Sequence, residues 1–438
     1  MTAPTLGPAP APAFTAAPVH SSAGATRLAP FVAPDLAALL STHGLRPLLL
    51  GGRHLLPLVQ GGMGVGVSAG RLAGAVAAQG GVGTVSSVDL RRLHPDLMAA
   101  TRALGKGPDA RPGIDAANRT ALDREIQTAR RLSGGRGLIA VNVMRALSDY
   151  AGYVEQALHS GADAVVVGAG LPLDLPDLAK DFPRTALVPI LSDARGIQLL
   201  VRRWEKRGRL PDAIVIEHPR LAGGHLGAAR IADLDDPRFD FEQVIPATLA
   251  FLRSAGIERD IALIPAGGIN SPQQLRRLQE LGAAAVQLGT AFAVTQEGDA
   301  PDSFKHILAG AQPEDLVTFT SVAGLPARAV RTPWLDKYLR NEPKLQAAAH
   351  TKGACNMGFD CLAQCGLRDG LADWGQFCID KNLGLAFEGD TQRGLYFRGA
   401  ASLPFGAEIR PVRDLMRFML GDPVATADAA WVAAVAAP

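Results

Sequence analysis

The residues best suited to chemistry in this chain are few, and most of them follow short apolar runs. His225 comes directly after two glycines in the stretch Ala222-Gly223-Gly224-His225-Leu226-Gly227. Flanking glycines leave an imidazole room to face a ligand. Its ordinary pKa of about 6.5 suits it to take a proton from a weak carbon acid. A hydrogen-bonded structural role is the alternative, and His218 upstream reads as a residue serving a strand end. Glycines gather at three further places: Gly61-Gly62-Met63-Gly64, Gly267-Gly268, and Gly289 in Gln287-Leu288-Gly289-Thr290. The first can bring backbone close to a flat ligand. The other two stand just before helix starts, where N–H groups and the helix dipole favour a phosphate dianion; plain turns are the competing reading. Asn142 interrupts the apolar run Leu138–Met144 and needs a partner, either backbone or a ligand. Ser192 and Asp193 close another run, where capping the next helix competes with ligand contact.

Four cysteines crowd the C-terminal part of the chain as Cys355-x5-Cys361-x3-Cys365-x12-Cys378, with none elsewhere. The spacing is neither that of a zinc ribbon nor that of a ferredoxin. Thiolates at such density suit an Fe–S cluster or zinc, and simple buried thiols are the third reading.

These residues need a frame. Eight short apolar, β-branched runs recur: Leu56–Met63, Val82–Val88, Leu138–Met144, Ala164–Gly170, Ala186–Asp193, Ala213–His218, Ala262–Ile269 and Ala285–Phe292. Continuous apolar runs mark strands covered on both faces, the parallel-sheet pattern. Helical patterns separate them. Ser68–Gln79 begins at a Ser able to cap and stops at Gly80-Gly81, and Ser271–Leu281 has Pro272 after a capping Ser. Ala194–Lys206 and Phe241–Ala255 are amphipathic. Strict strand–helix alternation predicts an α/β fold, a (β/α)8 TIM barrel, with a doubly wound open sheet as the alternative. In a barrel the reactive residues belong at the C-terminal ends of the strands, which is where the glycines, Asn142 and His225 stand. The pattern predicts a disordered Pro- and Ala-rich tail over 1–28 and a barrel over 29–335. An insertion after strand two covers about 90–137, with helix over Ala116–Leu132. A Cys-containing appendage covers 336–421 and a tail 422–438.

Composition excludes several classes. The chain of 438 residues has 44 basic and 42 acidic side chains, which gives no electrostatic footprint for nucleic acid or a membrane surface. No apolar run reaches the roughly 20 residues of a spanning helix. The first residues lack the charged and apolar regions of a secretory signal, so the expected compartment is the cytoplasm, with reduced cysteines.

Taken together, the strand ends resemble the nitronate monooxygenase (2-nitropropane dioxygenase-like) family, which shares its FMN barrel with the flavin-dependent enoyl-acyl carrier protein reductases. The matching pieces run in order: LVQGGMGVGVSAGRLAGAVAAQGGVGTVSSV (58–88), VVVGAGLPLDLPDLAKDF (165–182), AGGHLG (222–227), IPAGGINSPQQL (264–275), VQLGTAF (286–292) and VAGLPARAVRT (322–332). A longer-chain subgroup is also similar over the Cys-containing appendage, including Gly394-Leu395-Tyr396-Phe397-Arg398-Gly399-Ala400. The resemblance implies that Gly61, Gly62 and Met63 pack on FMN and that Asn142 contacts its ring. Gly267, Gly268, Gly289 and Thr290 would hold its phosphate, with Ser192, Gly224 and Gln287 as further contacts. His225 would be the catalytic base. The implied substrate is a small nitronate, or an enone or enoyl compound if NAD(P)H is the reductant, and a homo-oligomer fits either. One departure stands out: Leu221 occupies a position that the family gives to an acidic or small residue, and the loop is one residue longer.

Overall fold

Eight parallel strands close on themselves in the computed structural model, which describes residues 30–105, 107–349, 355 and 361–422. In chain order they are β1 (Leu58–Gln60), β2 (Val82–Ser86), β3 (Leu138–Met144), β4 (Ala164–Gly168), β5 (Ala186–Leu191), β6 (Ala213–Glu217), β7 (Ala262–Ala266) and β8 (Val286–Leu288). Each pairs in parallel with the next, and β8 pairs with β1. Closure removes both edges and decides for the (β/α)8 barrel against the open sheet. The tails expected at 1–28 and 422–438 lie outside the described residues, apart from Asp422.

Closure follows from the residue pattern. Every residue of β4 is buried, as a strand walled by helices outside and side chains inside must be. Inside, small and branched residues such as Val59, Ala140, Val166, Val188, Val215 and Ile264 form one apolar cluster. Leu48, Leu50 and Leu55 join that cluster from an antiparallel hairpin ahead of β1 and close the lower end of the barrel. Filling the interior leaves only the upper end for a ligand.

Strand ends differ from the sequence reading. The first run, expected over Leu56–Met63, is a strand only over Leu58–Gln60, and the eighth stops at Leu288. The residues beyond each glycine turn away, and Thr290–Ala293 forms a helical turn. Apolar runs do not register a change of backbone direction when the next residues are apolar too. Ser68 was expected to cap α1 (Gly70–Gln79), but its hydroxyl instead accepts the Met63 N–H at 2.9 Å. The carboxylate of Asp299 takes that capping role from 230 residues away, accepting the N–H groups of Ala69 and Leu72 at 2.7 and 3.1 Å. Ser271 and Asp193 do cap their helices. Between β2 and β3 the long helix α2 (Arg111–Ser133) packs against α1, so it serves as the crossover of an ordinary β/α unit.

The C-terminal segment does not stand apart. Strands β9 (Leu316–Thr320) and β10 (Pro326–Val330) form an antiparallel pair, and β10 also pairs with β11 (Tyr396–Phe397). On its other register β10 pairs with Gly224–His225. The expected appendage is thus stitched to the loop that carries the histidine and lies across the barrel mouth. No helix among the described residues is long and apolar enough to cross a membrane.

Candidate active site

A cavity of about 310 Å3 opens at the C-terminal ends of the strands, between the barrel mouth and the C-terminal segment. Gly61, Gly62, Met63, Asn142, Gly224, His225, Gly267, Gly268, Gln287, Gly289 and Thr290 all line it. Residues separated by more than 200 positions in sequence meet there because parallel strands deliver all their C-terminal ends to one rim.

The walls differ in chemistry. At the rim of β1 and β3, a Cβ on Gly62 would fall 2.3 Å from the Cβ of Asn142, so only glycine lets the turn sit against that side chain. At the rim of β7, Gly267 and Gly268 have φ of +101° and +74°, and a Cβ on Gly268 would meet Leu221 at 2.7 Å. The N–H groups of Gly267, Gly268, Gly289 and Thr290 donate no hydrogen bond to the described residues. Unpaired backbone donors at two neighbouring rungs form an anion-binding concavity. Leu221, the departure noted in sequence, lies over this end and lines the cavity.

Across the mouth stands His225. Its ring centre is 5.6 Å from that of Phe397, and its Nε2 is buried without a hydrogen-bond partner. Burial pushes the imidazole down to about 4, so it is neutral at physiological pH, below the ordinary value that the sequence reading assumed. Glu217 ends β6 and lines the same cavity, and no hydrogen bond to its carboxyl is found. Burial pushes that carboxyl up to about 8, which leaves it protonated near neutrality. The two groups face each other's side of the site as uncharged imidazole and uncharged acid.

Ser192, expected as a cofactor contact, lies away from the cavity, as do the neighbouring candidates Asp193 and His218. Ser192 is buried beneath the histidine loop: a Cβ on Gly227 would lie 1.8 Å from its hydroxyl oxygen, and it does not line the cavity. Asp193 caps the helix Ala194–Glu205 through the Gly196 N–H at 2.7 Å. His218 points away from the cavity, with Nε2 3.2 Å from Asp240 and its ring edge-on to Phe241. Of the cysteines, only Cys361 lines the cavity. All four are free, and among the described residues no group of three or more His, Cys, Asp or Glu side chains could hold a metal ion. Burial raises the thiols of Cys361, Cys365 and Cys378, the last to about 11, and the charges of neighbouring cysteines add to the effect.

Sequence reasoning missed Glu217 and the whole upper wall, built by Phe397, Arg398 and Gly399 from the C-terminal segment. Glu217 had a usable signal, being an ionisable residue at the end of an otherwise apolar strand, as Asn142 is. Arg398 had none beyond the likeness of its neighbourhood to the longer-chain subgroup.

Open backbone donors on one side and an unpaired imidazole on the other suit a ligand with an anionic tail and a flat reactive ring. A barrel with such a mouth defines a class, the flavin-dependent oxidoreductases built on eight β/α units. Residues 52–421 match the model of the nitronate monooxygenase family, and the chain belongs to that family. A probable nitronate monooxygenase of Staphylococcus saprophyticus is 30% identical over 125 residues, covering 28% of this chain and 33% of that protein. A (3aS,4S,5R,7aS)-5-hydroxy-7a-methyl-1-oxo-octahydro-1H-indene-4-carboxyl-CoA dehydrogenase of Rhodococcus jostii is 26% identical over 236 residues, 50% of this chain and 60% of that protein. The chain thus spans between a third and three-fifths of the length of these curated relatives. Nitroalkane oxidase from Streptomyces ansochromogenes shares the fold with a TM-score of 0.56 at 20% identity, over 88% of this chain and 98% of that structure.

Proposed function

We propose that the chain binds FMN and oxidises alkyl nitronates, with dioxygen as the final electron acceptor. The observation that carries this reading is the unpartnered Nε2 of His225, buried in the same cavity whose far wall offers unpaired N–H groups at Gly267, Gly268, Gly289 and Thr290. These residues fit the cofactor. The glycine rungs accept a phosphate, and the Gly61–Met63 turn, which tolerates no side chain against Asn142, presents bare backbone to a flat ring. When bound, FMN supplies the two-electron acceptor that dioxygen restores. His225, held neutral by burial, has a free ring nitrogen to accept the α-proton of a neutral nitroalkane. A nitronate already lacks that proton and needs only to be oriented. Glu217, held protonated, offers a hydrogen bond to substrate oxygen without adding a negative charge that would repel an anionic nitronate.

A second reading has its own observation. Leu362, Ile379, Leu383 and Leu395 form an apolar upper wall, and the Rhodococcus relative acts by its name on a CoA thioester. An NAD(P)H-dependent reduction of enoyl thioesters or quinones would use such a wall. The test is anaerobic mixing of the flavin-loaded protein with propyl nitronate and with NADPH, side by side. Bleaching of the flavin by propyl nitronate alone is expected. Bleaching by NADPH alone overturns nitronate oxidation in favour of the second reading, and failure to take up any flavin removes both.

A further inference from the structure

A buried guanidinium in the C-terminal segment has no anionic partner among the described residues. Arg398 is 4% exposed. Its Nε donates to the Leu308 carbonyl at 2.8 Å, and Nη1 donates to the carbonyls of Gly399 and Ala401 at 2.8 and 3.3 Å. Among the described residues no bond from Nη2 is found and no carboxylate pairs with the group, and Asp315 is the one acid whose charge acts on it. Carbonyl oxygens satisfy donors but carry no net charge. A cation withdrawn from water without an anion is among the most unfavourable arrangements in a protein interior. Burial lowers the guanidinium's affinity for its proton, yet at an ordinary pKa above 12 it stays charged.

The position of the group says where the missing anion goes. Arg398 lines the cavity together with Gly267, Gly268, Gly289 and Thr290. The next residue is tied to that end: the Gly399 N–H donates to the Thr290 hydroxyl at 3.1 Å, and the Ala400 N–H donates to the Leu221 carbonyl at 3.0 Å. A Cβ on Gly223 would lie 2.3 Å from the Arg398 carbonyl carbon, so the segment rests directly on the histidine loop. Arg328 gives the contrast. It too is buried on carbonyls, those of Ala222 and Pro219, but it is not among the residues that line the cavity.

We propose that Arg398 supplies the counter-charge for the FMN phosphate, so that the C-terminal segment, and not the barrel alone, makes this site prefer FMN to riboflavin. The inference rests on the FMN reading above. It adds that the glycine rungs of β7 and β8 provide neutral donors while the full positive charge comes from the segment laid across them. Riboflavin shares the ring and lacks the phosphate, so the two ligands separate charge from ring contacts.

The experiment titrates flavin-free full-length protein with FMN and with riboflavin by fluorescence quenching, for wild type, Arg398→Met and Arg398→Lys. Wild type is expected to favour FMN. Arg398→Met should weaken FMN about 10- to 100-fold, the range of one charge-assisted contact, and leave riboflavin within about 2-fold. Arg398→Lys, which keeps a cation but not the planar fork, should fall between. A full FMN preference in Arg398→Met overturns the proposal. So does an equal loss of FMN and riboflavin in both variants, which would make Arg398 a residue of the fold. A wild type that binds no flavin sinks the functional reading itself, and a wild type that binds FMN and riboflavin equally sinks the counter-charge alone.

Discussion

Both ends of the cavity take ionisable side chains out of water, yet burial has done opposite things to them. At the histidine end His225 and Glu217 have both become neutral, one by losing its proton and one by keeping it. At the glycine end Arg398 stays positive, because its pKa starts far above neutrality and no burial of this kind brings it down. Desolvation therefore sorts side chains by how far their ordinary pKa lies from 7. The result is an end that holds charge and an end that moves protons, on neighbouring strands of one rim. A ligand with an anionic tail and a reactive ring has only one way to lie across it.

The comparison breaks most sharply at a glycine. Gly268→Val sets a β-branched residue at φ +74° and against Leu221, so flavin affinity should fall by about 100-fold or more, as measured by equilibrium titration. Next is the histidine end. His225→Asn should keep flavin affinity within about 2-fold and lower turnover of a neutral nitroalkane by about 10²–10⁴-fold, with a much smaller loss for the preformed nitronate. Equal losses for both substrates would remove His225 as the base.

A gentler effect concerns Glu217. Its native pKa of about 8 lies above the ordinary value of 4.5, so the native state holds a proton that the unfolded chain releases between those values. Its contribution to stability is present in full below pH 4.5 and is lost as pH rises towards 8. In flavin-free protein, Glu217→Gln should raise Tm by about 2–4 °C at pH 8 and converge with wild type near pH 4.5. A parallel offset at all pH values would mean that the residue titrates normally. The smallest effect belongs to His218, which sits behind the wall. His218→Gln should cost about 1 kcal/mol by chemical denaturation through its contact with Asp240, and leave both flavin affinity and turnover as they are.

Much of the barrel was legible in the sequence. Eight apolar runs with helical spacers allow few arrangements, and glycines placed after the seventh and eighth runs mark the rim in either direction of reasoning. Less was legible about which polar residues reach the cavity. Ser192 and Asn142 look alike in sequence, each a small polar residue in or after an apolar run. One is trapped under Gly227 and the other lines the cavity, because β5 and β3 meet different loops. The cysteines show the same limit. The four thiols lie close enough to act on one another's charge, yet density along a chain does not say whether they close a ligand shell around a metal.

What the sequence determined by itself is the local grammar: which runs become strands, where glycine permits a left-handed turn, and that His225 follows two glycines, of which Gly224 takes such a turn. Local sterics and periodicity fix these, and they act over a few neighbours. What only the tertiary structure decided is the charge state of every group in the cavity and the identity of its upper wall. Charge depends on how much water the whole fold removes from a side chain. The wall depends on a segment more than 100 residues beyond β8 returning to pair beside Gly224–His225 across β10.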